Sequence, residues 1–198
     1  MALLALGVAL ITLQAGAPPA AERSRAHQEA AAGLMERAVA LRGLGSLDAA
    51  LAEIDKAVSL SPKEPGSHVL RGFILYDKLD EHSALAALER AIQLGTRDAR
   101  AYNSAAWILS TSKDHSLRDA RRALALAVEA CRMSAWQDPS FIDTLAAAHA
   151  DAGNFDEAVR WQERALEFPQ MQRIDGPGAR ARLELYRAGR PYRAAPNQ

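Results

Sequence analysis

The chain of 198 residues has a single cysteine, Cys131, so it can form neither an intramolecular disulfide nor a cysteine-built metal cluster. Aromatic residues are only 6% of the chain, and β-branched residues are few beside Ala and Leu, which argues against sheet and for helix. Neither sign of charge is in excess. The 24 Lys and Arg balance 24 Asp and Glu, and a formal net charge of zero gives no general attraction for polyanions. Five scattered histidines include no HExxH pair, and the acidic residues show no EF-hand spacing. What remains is an ordinary globular balance, 49% apolar and 24% charged, which excludes wholesale disorder. The length suits one domain or one short repeat array.

The first charge is Glu22. Before it, the apolar run from Ala2 to Leu13 is too short to span a bilayer without strain. With the small residues Ala15-Gly16-Ala17 after it, the run has the form of a signal-peptide core, so residues 1–21 are expected to be an export leader and the mature chain periplasmic or extracytoplasmic. No Lys or Arg precedes the run, and Pro18 would follow cleavage after Ala17. The competing reading is an apolar N-terminal helix that packs, in a cytoplasmic protein. No stable membrane span is expected in the mature form.

The stretch GSLDAALAEIDKAVSL at 45–60 recurs almost in pattern as GNFDEAVRWQERALEF at 153–168. Small residues set the period: Ala50 to Ala84 and Ala57 to Ala91 are 34 apart, Ala84 to Ala123 is 39, and Ala123 to Ala158 and Ala130 to Ala165 are 35. Four copies follow, at 31–64, 65–98, 99–138 and 139–172, each with two amphipathic helical segments. A position that stays small in every copy marks a close helix crossing. Ala38, Gly72, Ala106 and Ala146 occupy it on the first helix. Gly45 and Gly153 fall at turns, and Pro62 and Pro169 close two copies. The third copy has five extra residues within STSKDHSLRD.

Residues 22–30 are expected to extend the first helix backward. MQRIDGPG, at 171–178, reads as a break, and within 173–198 Ala179–Ala188 reads as a capping helix. Its outer face would carry Arg180, Arg182, Glu184 and Arg187, and its buried side Leu183 with Leu185 or Tyr186. That cap leads one to expect the array to end there.

In period and in its Gly/Ala/Pro pattern the array resembles the tetratricopeptide repeat (TPR) family over 31–172. The second half is similar to a bacterial subgroup of it, on Asn103, Ala106 and Trp107, LRD at 117–119, ALALA at 123–127, Trp136, Asp138 and Pro139, DTLAAA at 143–148, Val159, Trp161 and Gln162, and LYRAGRPYR at 185–193. His149 departs from the Tyr more usual there. The resemblance implies an all-α, right-handed solenoid of about four hairpins plus a capping helix. It implies a helical interaction module and no defined reaction.

The scan for chemistry returns little. Ser110 and Lys113 have an SxxK spacing without its partner motifs, and Asp114-His115 has no nucleophile nearby. Cys131 reads as a buried thiol, and Gly176-Pro177-Gly178 is too short for a phosphate cradle. No catalytic, metal or cofactor residues are assigned. Six Arg against Asp175 and Glu184 give residues 173–198 a balance of +4, better explained by a solvated cap than by nucleic acid.

The implied functional surface is the concave side lined by first helices. Its groove positions give Met35, Val39 and Arg42; Val69, Phe73 and Tyr76; Arg100, Asn103, Trp107 and Ser110; Ser140, Asp143 and Ala147. Arg42, Phe73, Tyr76, Arg100, Asn103, Trp107 and Asp143 are the candidate partner contacts. Aromatic faces would bury apolar side chains, Asn103 would hold an extended backbone and an Arg would meet a carboxylate. The leading expectation is a non-enzymatic adaptor for a peptide or protein segment. The alternatives are a structural assembly module, or an accessory domain of a larger enzyme or regulatory system.

Overall fold

The computed structural model describes residues 19–194, and all regular structure among them is helical. The export reading falls mostly on residues 1–18 and lies outside the described residues. Nine helices follow in order: α1 (Ala20–Gly43), α2 (Leu47–Leu60), α3 (Pro65–Asp77), α4 (Glu81–Gln93), α5 (Ala99–Thr111), α6 (Ala120–Met133), α7 (Pro139–Asp151), α8 (Phe155–Leu166) and α9 (Pro169–Arg187). They pack as hairpins α1·α2, α3·α4, α5·α6 and α7·α8, each laid on the next, with α9 closing the row against α8 and α7.

The small residues set this spacing. Ala38, Ala106 and Ala146 on the first helices and Ala50, Ala57, Ala84, Ala91, Ala123, Ala130, Ala158 and Ala165 on the second are each 0% exposed. At Gly72 a Cβ would stand 2.7 Å from Leu88 Cγ, so the α3·α4 crossing is too close even for alanine without movement.

Carboxylates begin most of the helices. Asp98 and Asp138 accept from the backbone N–H of Arg100 and Ser140, opening α5 and α7. Asp80 and Asp119 accept from Ser83 and Arg122, opening α4 and α6. Each such cap is worth about 1 kcal/mol. Gly45 and Gly153 end α1 and α7 at φ of 73° and 77°. The same left-handed position after α3 holds Leu79 at φ 64°, and after α6 both Ala135 and Trp136 adopt it, at 50° and 61°. That double left-handed turn delivers Trp136 onto Trp161, with centroids 5.3 Å apart and planes 19° from parallel.

The extra residues of the third hairpin form the α5–α6 loop. It is tied to itself and to the helices beside it: the Asp114 N–H donates to Ser112 Oγ, Ser112 Oγ donates to Glu81 of α4, and the Asp119 N–H returns to the Leu109 carbonyl of α5 at 3.0 Å.

The C-terminal helix departs from the sequence reading. Pro169 starts α9 instead of closing the fourth hairpin, and the segment expected to be a break is helical on both sides of one residue, Asp175, at φ −158° and ψ 47°. Asp175 is the cap of the second half: its Oδ1 accepts from the Gly178 N–H at 3.1 Å. Pro177 sits in the first turn after that cap, where its missing N–H costs nothing.

Candidate functional site

The first helices place Arg42 on α1, Phe73 on α3 and Arg100 on α5 in one stack. Each guanidinium carbon lies 5.5 Å from the centroid of the Phe73 ring. A cation over an exposed ring contributes about 0.5–1 kcal/mol. Both arginines are also held by carboxylates. Arg42 Nε donates to Asp77 Oδ2 at 2.6 Å, and Arg100 donates through Nε and Nη2 to the two Asp98 oxygens at 2.9 and 2.6 Å. Asp98 therefore both caps α5 and aims Arg100. The hydrogen bond from the Arg100 side chain is the main reason its carboxyl lies below the usual carboxylate range. The bidentate fork of Arg100 is thereby engaged internally, while the side chain as a whole stays 69% exposed.

Tyr76 lies one turn on from Phe73. The two residues are half-buried and pack against the main core as well as bordering this face. Burial pushes the Tyr76 phenol up, with the Trp107 side chain acting against it. Adjacent hairpins meet here, and these rings fill the seam between them.

Asn103, Trp107 and Asp143 gather around a recess of about 210 Å³ between α5, α7 and α9, with Ser140, Met171 and Arg182 in its walls. The Asn103 side-chain oxygen is buried without a hydrogen-bond partner there. Asp143 is not an open groove position. It is 5% exposed, accepts from Gln162 Nε2 at 2.5 Å and from Arg182 Nε at 3.0 Å, and is shut in by α9. Burial pushes its carboxyl up, against the pull of Arg182 and Gln162. Arg182, expected on the polar outer face, is also 5% exposed and pairs in addition with Asp175 at 2.9 Å. Helical geometry explains the difference. Positions 180, 184 and 187 share a face, whereas 182 falls with the buried Ala179, Leu183 and Tyr186. A strict reading of the period would have found it.

Sequence reasoning missed the C-terminal strap, residues 191–194, which lies across the ends of α5 and α7. The Tyr192 ring is 5.7 Å from that of Trp107, tilted by 42°, and the Arg182 guanidinium lies 5.5 Å from both. Arg193 donates through Nη1 to the Ser110 carbonyl at 2.9 Å and pairs through Nη2 with Asp151 at 2.7 Å. The Ala194 N–H donates to the Thr111 carbonyl at 2.9 Å. Two groove positions, Trp107 and Ser110, are thus engaged within the chain.

The other chemical candidates have structural partners. Ser110 Oγ donates back to the Ala106 carbonyl at 2.8 Å. Asp114 meets His82 of α4, at 2.8 Å, instead of its neighbour His115. Burial pushes the Cys131 thiol up to about 12, which leaves it unionised at neutral pH. Among the described residues no three His, Cys, Asp or Glu side chains cluster as metal ligands, and no helix is long and apolar enough to cross a membrane.

Residues 31–64 match the family model described as tetratricopeptide repeat. No curated protein sequence matches the chain. Among solved structures, the chain is similar to YrrB, described as a TPR protein with an unusual peptide-binding site. Identity is 19% with a TM-score of 0.65, over 86% of this chain and 84% of that one. It is similar to MamA at 20% identity and a TM-score of 0.60, over 76% and 79%. It is also similar to pilF of Pseudomonas aeruginosa at 16% identity and a TM-score of 0.65, over 82% and 71%. The fold is that of a TPR solenoid, with about four hairpins and a capping helix.

Proposed function

We propose that the chain is a non-enzymatic scaffold that binds an extended peptide or protein segment across the face lined by its first helices. The observation that carries this reading is the Arg42–Phe73–Arg100 stack, which runs over three successive hairpins. Half-buried Phe73, with the guanidinium carbons of Arg42 and Arg100 each 5.5 Å from its centroid, offers its exposed ring area to a side chain, and the arginines offer outward N–H groups to backbone carbonyls or a carboxylate. Because both arginines are already held in place, a ligand would meet this surface with little ordering cost. The likeness to YrrB, itself described as having a peptide-binding site, agrees with the reading.

Membership of the bacterial subgroup marked by LYRAGRPYR at 185–193, export after loss of about the first twenty residues, and the absence of a nucleic-acid role belong to the same proposal. Mass spectrometry of the protein from its native source tests export: an intact Met1 or Ala2 on cytosolic protein would remove that part. The binding claim is tested with Phe73→Ala and Arg100→Ala. Partner retention should fall about tenfold or more in each. Unchanged retention in both variants would move the function to another surface.

A further inference from the structure

The strap is built like a bound ligand. Residues 191–194 form no secondary structure, and the groups that hold them come from α5 and α7, far away in sequence, and from Arg182 of the adjoining α9. Three subsites stand side by side. The first is aromatic: Tyr192 meets Trp107 and the Arg182 guanidinium and packs against the small cluster of α7 alanines, Ala158 and Tyr186. The second is a guanidinium site: Arg193 meets Asp151, the last residue of α7, whose side chain is 6% exposed, together with the Ser110 carbonyl. The third reads backbone: the Thr111 carbonyl accepts from the Ala194 N–H. Ser110 and Thr111 end α5, so their carbonyls lack intrahelical partners and lie at the negative pole of the helix. Arg118 Nε lies 3.9 Å from the same Asp151 oxygen, and the acceptors, the carboxylate and that pole together favour a second cation beside it.

We propose that the ends of α5 and α7 form a recognition site for an extended peptide carrying an aromatic residue followed by arginine, and that Tyr192–Arg193 of this same chain is its resident occupant. This deepens the scaffold reading and rests on it, but it uses the other end of the face from the Arg42–Phe73–Arg100 stack. A tethered occupant competes at an effective concentration in the millimolar range. An outside segment would therefore bind only by displacing the strap, and the strap sets a threshold for entry.

The test uses a fluorescein-labelled peptide of residues 189–195, GRPYRAA, and the full chain with Tyr192→Ala and Arg193→Ala. By anisotropy the peptide should bind the opened chain at least tenfold more tightly than the wild type. Adding Asp151→Asn, or replacing the peptide's own Tyr and Arg by Ala, should abolish that gain. Equal binding to wild type and opened chain would overturn the proposal, and so would no binding to an opened chain that circular dichroism shows to be folded. Should the opened chain unfold, hydrogen exchange at the Ala194 amide of the wild type decides. Excess peptide should accelerate that exchange, and an unchanged rate refutes competition. Failure here leaves the Phe73 and Arg100 variants to judge the scaffold reading separately.

Discussion

Replacing Arg182 by Met should be among the most damaging single changes in the protein, and the reason lies in what it leaves behind. Arg182 and Asp143 are each 5% exposed and meet at 2.9–3.0 Å. Met keeps much of the stem's volume but removes the charge, so Asp143 stays buried with only Gln162 as donor. Removing one partner of a buried pair costs about 3–5 kcal/mol. The lost contacts of the guanidinium with Trp107 and Tyr192 add about 0.5–2 kcal/mol. Asp143→Asn should cost less, about 1–3 kcal/mol, because Asn still accepts from Gln162 and Arg182 keeps Asp175. The double variant Asp143→Asn/Arg182→Met leaves no lone buried charge, Asp175 being half-exposed, and should lie at least 1.5 kcal/mol above the sum of the single losses. Urea unfolding of the four proteins measures this directly. The deficit of Arg182→Met should also shrink in acid, where the stranded carboxyl protonates. Additive losses would refute the reasoning and mean that α9 is held by apolar packing alone.

Three further outcomes follow from the repeat geometry. Ala146→Leu, at a crossing with no free surface, should cost about 1–3 kcal/mol in urea melts, while Glu163→Gln in an exposed ion pair should change the midpoint little. Leu79→Gly should leave stability unchanged or raise it by up to about 1 kcal/mol, since relief of the left-handed strain outweighs the entropy cost of glycine; a clear loss would contradict this. Burial holds the His149 imidazole below its usual value of 6.5, with Glu157 and Arg160 as the charges near it. The neutral form therefore supports folding above that value, and the support is lost as pH falls through the folded-state value. Between pH 7.5 and 5.5 the urea midpoint should drop more in the wild type than in His149→Gln, and equal drops would remove His149 as a cause.

The repeat was legible because the positions that define it are those least free to vary physically. Ala38, Gly72, Ala106 and Ala146 recur since any larger group would separate the axes, and each lies at a helix crossing. Register also put Arg42, Phe73 and Arg100 among the groove positions, while their stacking is seen only in the fold. Two things did not. Gly176-Pro177-Gly178 suggested a loop, but Asp175 before it is a helix cap, and the turn residues are the first turn of the helix's second half. Reading Arg182 as an outer residue took its charge as the guide where the helical period was the better one. That error carried over to Asp143, since its burial depends on α9 lying over it. The strap was not legible at all. Arg193 and Ala194 find their backbone acceptors 83 residues back along the chain, through the fold and not through any local pattern.

The claim that the first-helix face is the binding surface is tested most directly by photo-crosslinking in the native source. A photoreactive phenylalanine analogue is placed at Phe73, and separately at Val128 on the second helix of the third hairpin, which is 43% exposed. The account predicts peptide adducts from position 73, mapped by mass spectrometry to one extended segment of a partner and lost on Arg100→Ala, with none from position 128. Adducts from position 128 alone would contradict it.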